Sequence, residues 1–164
     1  MIFSEKRNIM QEAIDAFTYP FYIINIDTYE IEVANKILGI NPKKGPYKCH
    51  KITHKNDAPC GGKKDPCPIT EIKKTGKPVV VEHVHYNSKG EPRDVRVYAF
   101  PIVNKRGKID KMIEYSIDIT KEKKLEKESA KHEKELEKLN SLMVGRELRM
   151  VELKEEIAEL RRKI

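Results

Sequence analysis

Residues 111–125, KMIEYSIDITKEKKL, join a strand-like run to a long charged helix with almost no connecting chain. Met112, Ile113, Tyr115, Ile117 and Ile119 are apolar or aromatic and mostly alternate, the pattern of a half-buried strand. The strand pattern ends in Asp118-Ile119-Thr120, where the Thr120 hydroxyl is placed to satisfy free amides of the first helical turn, with Glu122 and Lys123 following at once. A junction without slack ties movement in a sheet to movement in the helix. The chain must therefore combine a sheet-containing domain with a helical extension.

The last 44 of the 164 residues read as one solitary helix, which leaves room for a single compact domain and no second one. No run of 18 apolar residues and no signal-peptide core occur, so a cytoplasmic chain with no membrane contact is expected. The net charge of +7 is spread out, because residues 121–164 hold 13 basic and 11 acidic groups. Dispersed Lys matched by Glu is a solvated surface, and with no basic stripe interleaved with aromatics no nucleic-acid partner is expected.

Within the domain, SEKRNIMQEAIDAF at 4–17 places Ile9, Ala13, Ile14 and Phe17 largely on one helical face behind a Ser4 cap. Strands are predicted over 21–26, 31–34, 79–86, 95–103 and 111–119. Asp27-Thr28-Tyr29-Glu30 forms the first turn, and two later turns lie around Gly90 and Gly107. Short helical pieces are expected at 35–40 and 69–74, and residues 43–68 read as a long irregular insert or a set of short turns. The organisation is a leading helix at 1–18, a domain at 19–120 carrying the 43–68 loop, and a C-terminal helix at 121–164. The economical fold is α+β, with one five-stranded antiparallel sheet and short helices.

This order, with YAFPIVNKRGKIDKMIEYSIDIT near its end, resembles the PAS sensor fold over roughly residues 8–120, and Asp118-Ile119-Thr120 resembles the exit of such domains. The resemblance implies a sensory module without catalysis of its own. Neither a phosphate-binding glycine loop nor a kinase ATP motif is present in the sequence.

Three cysteines, an odd number clustered between positions 49 and 67 in a chain read as cytoplasmic, point to metal or redox chemistry before a structural disulfide. Cys49, His54, Cys60 and Cys67 follow C-x4-H-x5-C-x6-C, and three thiolates with one imidazole complete a tetrahedral zinc site. An iron–sulfur cluster is the other candidate, although such clusters are ordinarily held by four cysteines. His50 is the neighbour that can replace His54 or support it from outside the ligand set. The segment resembles a Cys-rich insert in a subset of PAS domains of bacterial and archaeal sensor kinases, matching at Cys49, His54, Pro59-Cys60 and Cys67-Pro68. It departs in the length of the closing loop, Gly61 to Pro66. The competing readings are a thiol–disulfide switch and a structural zinc-stapled dimerisation adaptor. His83 and His85 share one face of VVVEHVHYN and can line a cavity, but neither face of that strand is cleanly apolar, and haem is disfavoured.

From Leu125 a seam at steps of four and three runs through Leu136, Leu139, Met143, Met150, Leu153, Ile157 and Leu160 to Ile164. Ile157 and Ile164 at a positions with Leu153 and Leu160 at d positions favour a parallel two-stranded coiled coil. Ser129, His132, Arg146 and Gly145 weaken it locally, as a switching helix requires, and no phosphoacceptor sequence follows His132. Residues 139–157 resemble the linker helix after PAS domains of sensor kinases. That likeness implies a homodimer serving a downstream output domain, such as a histidine kinase, or a response regulator.

Overall fold

The structure is a computed structural model describing residues 2–62 and 65–162, with side chains described from Ile9 onward. It divides into two units, residues 1–120 and residues 121–164. The first contains helix α1 (Ile2–Asp15), strands β1 (Phe21–Asn25) and β2 (Ile31–Ala34), two 3-10 turns (Lys36–Leu38, Pro42–Lys44), and helices α2 (Cys49–Thr53) and α3 (Pro68–Thr75). Strands β3 (Val79–Tyr86), β4 (Pro92–Val103) and β5 (Ile109–Asp118) follow, and helix α4 runs from Thr120 to Arg162.

The five strands form one antiparallel sheet in the order β2-β1-β5-β4-β3. The central position of β5 follows from its residues: it pairs with Tyr22 through Glu114 on one side and with Tyr98 through Tyr115 on the other. Tyr22, Ile24, Ile31, Ile69, Ile72, Ala99 and Met112 are buried together between one face of the sheet and α3. Gly76 ends α3 in the left-handed region at φ 66°, its N–H donating to the Ile72 carbonyl at 2.8 Å, a conformation that glycine adopts without Cβ strain.

Several expectations change. Helix α1 starts at Ile2, ahead of Ser4, whose side chain lies outside the described residues. Ile9 is 65 % exposed and Phe17 is exposed, while Ile14 is half-buried, so only part of the apolar face read for this helix is covered within the chain. The 43–68 insert is not wholly irregular. Ile31 N–H donates to the Tyr47 carbonyl and Cys49 N–H to the Tyr29 carbonyl, which ties the segment to the first hairpin and starts α2 at Cys49.

The junction after β5 is tight by a different means from the one expected. Thr120 does not direct its hydroxyl into the helix: Oγ1 accepts from Asp94 N–H at 3.0 Å, so it fastens the start of β4. Asp118 Oδ1 accepts from Thr120 N–H at 2.9 Å and takes the capping role, which holds its carboxyl below the ordinary range against the opposing effect of burial. In the second unit α4 is helical to Arg162 with no buried residue, and Ile164 lies outside the described residues.

Candidate metal centre

Strand β3 decides the site. Its odd residues turn inward, leaving His83 and His85 only 3 % and 7 % exposed, while Val80, Glu82, Val84 and Tyr86 face outward. The inward parity follows from pairing with β4, where Val81 lies opposite Val97 and His83 opposite Val95, both valines buried. Helix α2 ends at Thr53 with His54 as its C-cap, and Lys55 behind it adopts φ 53°, a turn that brings the His54 ring over the sheet. The His54 ring centroid lies 5.0 Å from that of His83 and 4.7 Å from that of His85.

Ligand atoms of His54, Cys60 and His83 fall within 4.8 Å of one another. Cys49, Cys67, Thr53, Met112 and Glu114 line the same small cavity, of about 10 Å³. All four predicted ligands therefore reach one cavity, but the tightest convergent set takes only His54 and Cys60 from them and adds His83. The His50 ring lies apart, packed edge-on against Tyr29 at 5.9 Å and buried rather than exposed.

The protonation pattern suits a ligand set. His83 Nε2 bonds the Pro66 carbonyl at 2.6 Å, which leaves Nδ1 buried without a partner; Nε2 of His85 is likewise unpartnered. An imidazole fixed by a carbonyl on one nitrogen and free on the other is the arrangement of metal-binding histidines. Burial, with His83 nearby, lowers His54 to about 4, and burial holds His85 well below its ordinary value, so both stay neutral and able to ligate at neutral pH.

The cysteines differ. Cys60 donates its S–H to Cys67; that bond, assisted by the backbone of Ile69 and Thr70 and the Thr70 hydroxyl, holds Cys67 below its ordinary value against the effect of burial and raises Cys60. Cys67 stands at the N-cap of α3 with Pro68 at the first helical position. Burial pushes the Cys49 thiol up, and it stays protonated. Behind the thiols, Glu114 is hydrogen-bonded to the Tyr22 hydroxyl; burial raises its carboxyl to about 7, and the Cys67 charge adds to the effect.

The sequence left open whether His83 faces inward or outward and gave Glu114 no role. The i, i+2 spacing placed both histidines on one face, but only strand pairing says which face is inside. A lone carboxylate in the apolar run of β5 was the available signal for Glu114. A larger neighbouring cavity of about 540 Å³, lined by Tyr22, Lys51, His85, Arg93, Ser116 and Asp118, continues along the inner face.

No protein-family model and no curated protein matches the chain. Solved structures do resemble it. An RNA-binding light-oxygen-voltage receptor has 16 % identity and a TM-score of 0.56, covering 76 % of this chain, which spans 37 % of that receptor. A light-oxygen-voltage protein from Rhodobacter sphaeroides has 12 % identity and a TM-score of 0.52, covering 70 % of this chain and 68 % of that one. The PAS domain of an HTR-like protein from Haloarcula marismortui has 15 % identity and a TM-score of 0.51, covering 71 % and 99 %. The likeness is one of fold: residues of the first unit adopt the PAS fold. Among the described residues no helix is long and apolar enough to cross a membrane.

Proposed function

We propose that the chain is a cytoplasmic sensory module that holds one metal ion in its Cys/His cavity and passes a signal through a parallel homodimeric coiled coil to an output domain or response regulator. The observation that carries the reading is the convergence of His54, Cys60 and His83 within 4.8 Å, with an unpartnered imidazole nitrogen buried beside them. Cys67, hydrogen-bonded to the Cys60 thiol, is the fourth ligand in hand, and Cys49 is the further thiol of the same cavity. Two sulfurs and two imidazoles in a space of about 10 Å³ suit a single zinc ion better than an iron–sulfur cluster or haem, since that space holds about one water-sized group. When bound, zinc would supply a structural cross-link between the 54–67 loop and β3.

The coiled-coil part rests on α4. A helix of 43 residues with no buried residue leaves Leu136, Leu139, Met143, Ile157 and Leu160 each more than half exposed, and apolar stripes of that length gain most of their stability from a partner.

Metal analysis of purified chain tests the site: about one zinc per chain is expected, lost in Cys60→Ser and His83→Ala. Full occupancy in both variants would refute the ligand assignment. Sedimentation velocity tests the assembly, with a dimer expected for the full chain and weaker or no association for residues 1–120. A monomeric full chain ends the coiled-coil reading.

A second reading, a thiol–disulfide switch, has its own support in the Cys60 to Cys67 hydrogen bond and the low Cys67 value.

A further inference from the structure

Cys60 belongs to two arrangements at once. Its sulfur is one of the convergent ligand atoms with His54 and His83, and Cys67, to which its thiol donates, lines the same small cavity. These uses exclude each other, because a thiolate bound to a metal is not free to attack an oxidant, and a sulfur in a disulfide carries no charge with which to bind a cation. We propose that metal occupancy and a Cys60–Cys67 disulfide are alternative states of this one cavity, so that oxidation by a peroxide expels the ion and the ion shields the thiols. The proposal rests on the metal reading given above.

The chemistry balances with hydrogen peroxide as the oxidant. In the ion-free site the Cys67 sulfur, on the wall of the same small cavity as Cys60, attacks one peroxide oxygen. The O–O bond breaks, water leaves with the proton taken from the pair, and Cys67 becomes a sulfenic acid. The Cys60 sulfur, half-buried, then attacks that sulfur. The S–S bond forms and a second water leaves. Two thiols give up two electrons, and one peroxide is reduced to two waters.

The consequence reaches β3. His83 Nε2 bonds the carbonyl of Pro66, the residue before Cys67, so the strand is coupled to whichever state the cysteine pair adopts. In the oxidised state His54 and His83 keep their places on α2 and β3, but two of the four ligands are gone. The two remaining imidazoles are a poor zinc site.

The experiment uses the full chain in its reduced form, loaded with zinc or stripped by chelator, and treated with hydrogen peroxide. Zinc release is followed with a chromogenic chelator, and disulfides are mapped by alkylation and peptide mass spectrometry. One zinc is expected to leave per Cys60–Cys67 disulfide formed, and zinc-loaded protein is expected to oxidise about ten-fold or more slowly than stripped protein. His83→Ala should lose zinc yet still form the disulfide at the rate of the stripped protein. Equal oxidation rates with and without zinc, a disulfide joining another cysteine pair, or zinc retained by disulfide-bonded protein would overturn the proposal. Zinc uptake with none of the coupling would leave the metal reading standing and this one refuted. Failure of the reduced chain to take up zinc would remove both.

Discussion

The two faces of the sheet differ in what they bury. The inner face holds Tyr22, His83, His85, Glu114 and Ser116, all buried. On the outer face Tyr115 stacks on Tyr98 at 4.8 Å and lies 6.1 Å from Phe100, while Val80 stays 56 % exposed. Ordinary packing puts aromatic and aliphatic groups inside and titratable ones outside. Here the alternating apolar residues of β5, Ile113, Tyr115 and Ile117, sit on the more open face, and its buried residues are Met112, Glu114 and Ser116. A buried polar face is costly to desolvate unless its groups bond each other or a guest. Tyr22 and Glu114 bond each other, whereas His83 and His85 keep free nitrogens. The inner face therefore buries the apolar core and a cluster of polar groups together, whereas the outer face carries aromatic rings that are only partly covered.

Truncating one ring on each face should separate the two faces most. Tyr22→Ala should cost about 3–5 kcal/mol, since that ring is fully buried, and Tyr115→Ala about 1 kcal/mol. Urea unfolding of metal-free protein gives both values. Equal costs would show that the inner face is no better packed than the outer.

Next in size is the pH dependence from Glu114, whose carboxyl rises from 4.5 to about 7, chiefly through burial. In that interval the folded chain keeps a proton that the unfolded chain has lost. The stabilisation is therefore complete below the unfolded value and disappears as pH rises to about 7, a change on the order of 3 kcal/mol. His54 runs the other way: its lowered value stabilises the fold above 6.5 and the gain is lost as pH falls to about 4. Glu114→Gln isolates the first effect. Measured in chelator, the wild type should lose stability relative to this variant between about pH 4.5 and pH 7, and a constant difference would contradict the buried acid.

Tyr22→Phe is smaller again. It leaves Glu114 buried without its hydroxyl donor and should cost about 1–3 kcal/mol, seen as a lower urea midpoint with an unchanged slope. Smallest is Val84→Thr on the outer face, where a residue 39 % exposed should change stability by less than about 0.5 kcal/mol. A larger effect would mean that the outer face is covered by something in solution, and its concentration dependence would identify a second copy of the chain.

The strands were legible because alternation and turn residues are local. Val79–Tyr86 coincides with its expected bounds, and β4 differs only in starting three residues earlier, at Pro92. Helix α2 was not legible: five residues carry too little periodicity, and its start is set by Cys49 N–H reaching the Tyr29 carbonyl, a contact across the fold. Thr120 had the right residue type for a cap, but a hydroxyl bonds whichever backbone group comes nearest, and that group was Asp94 of the neighbouring strand.

By itself the sequence determined the five-stranded α+β domain, the abrupt passage from Asp118 into a long helix, the seam of that helix and the clustering of Cys49, His54, Cys60 and Cys67 in one segment. These are properties of spacing along the chain, and spacing is what a sequence records. Only the tertiary structure decided that His83 joins His54 and Cys60, that Cys60 meets Cys67, and that Glu114 lies behind them. The physical reason is parity. A strand offers two faces of equal standing, and which one is inside is fixed by register with its neighbours, here Val81 against Val97 and Tyr22 against Glu114.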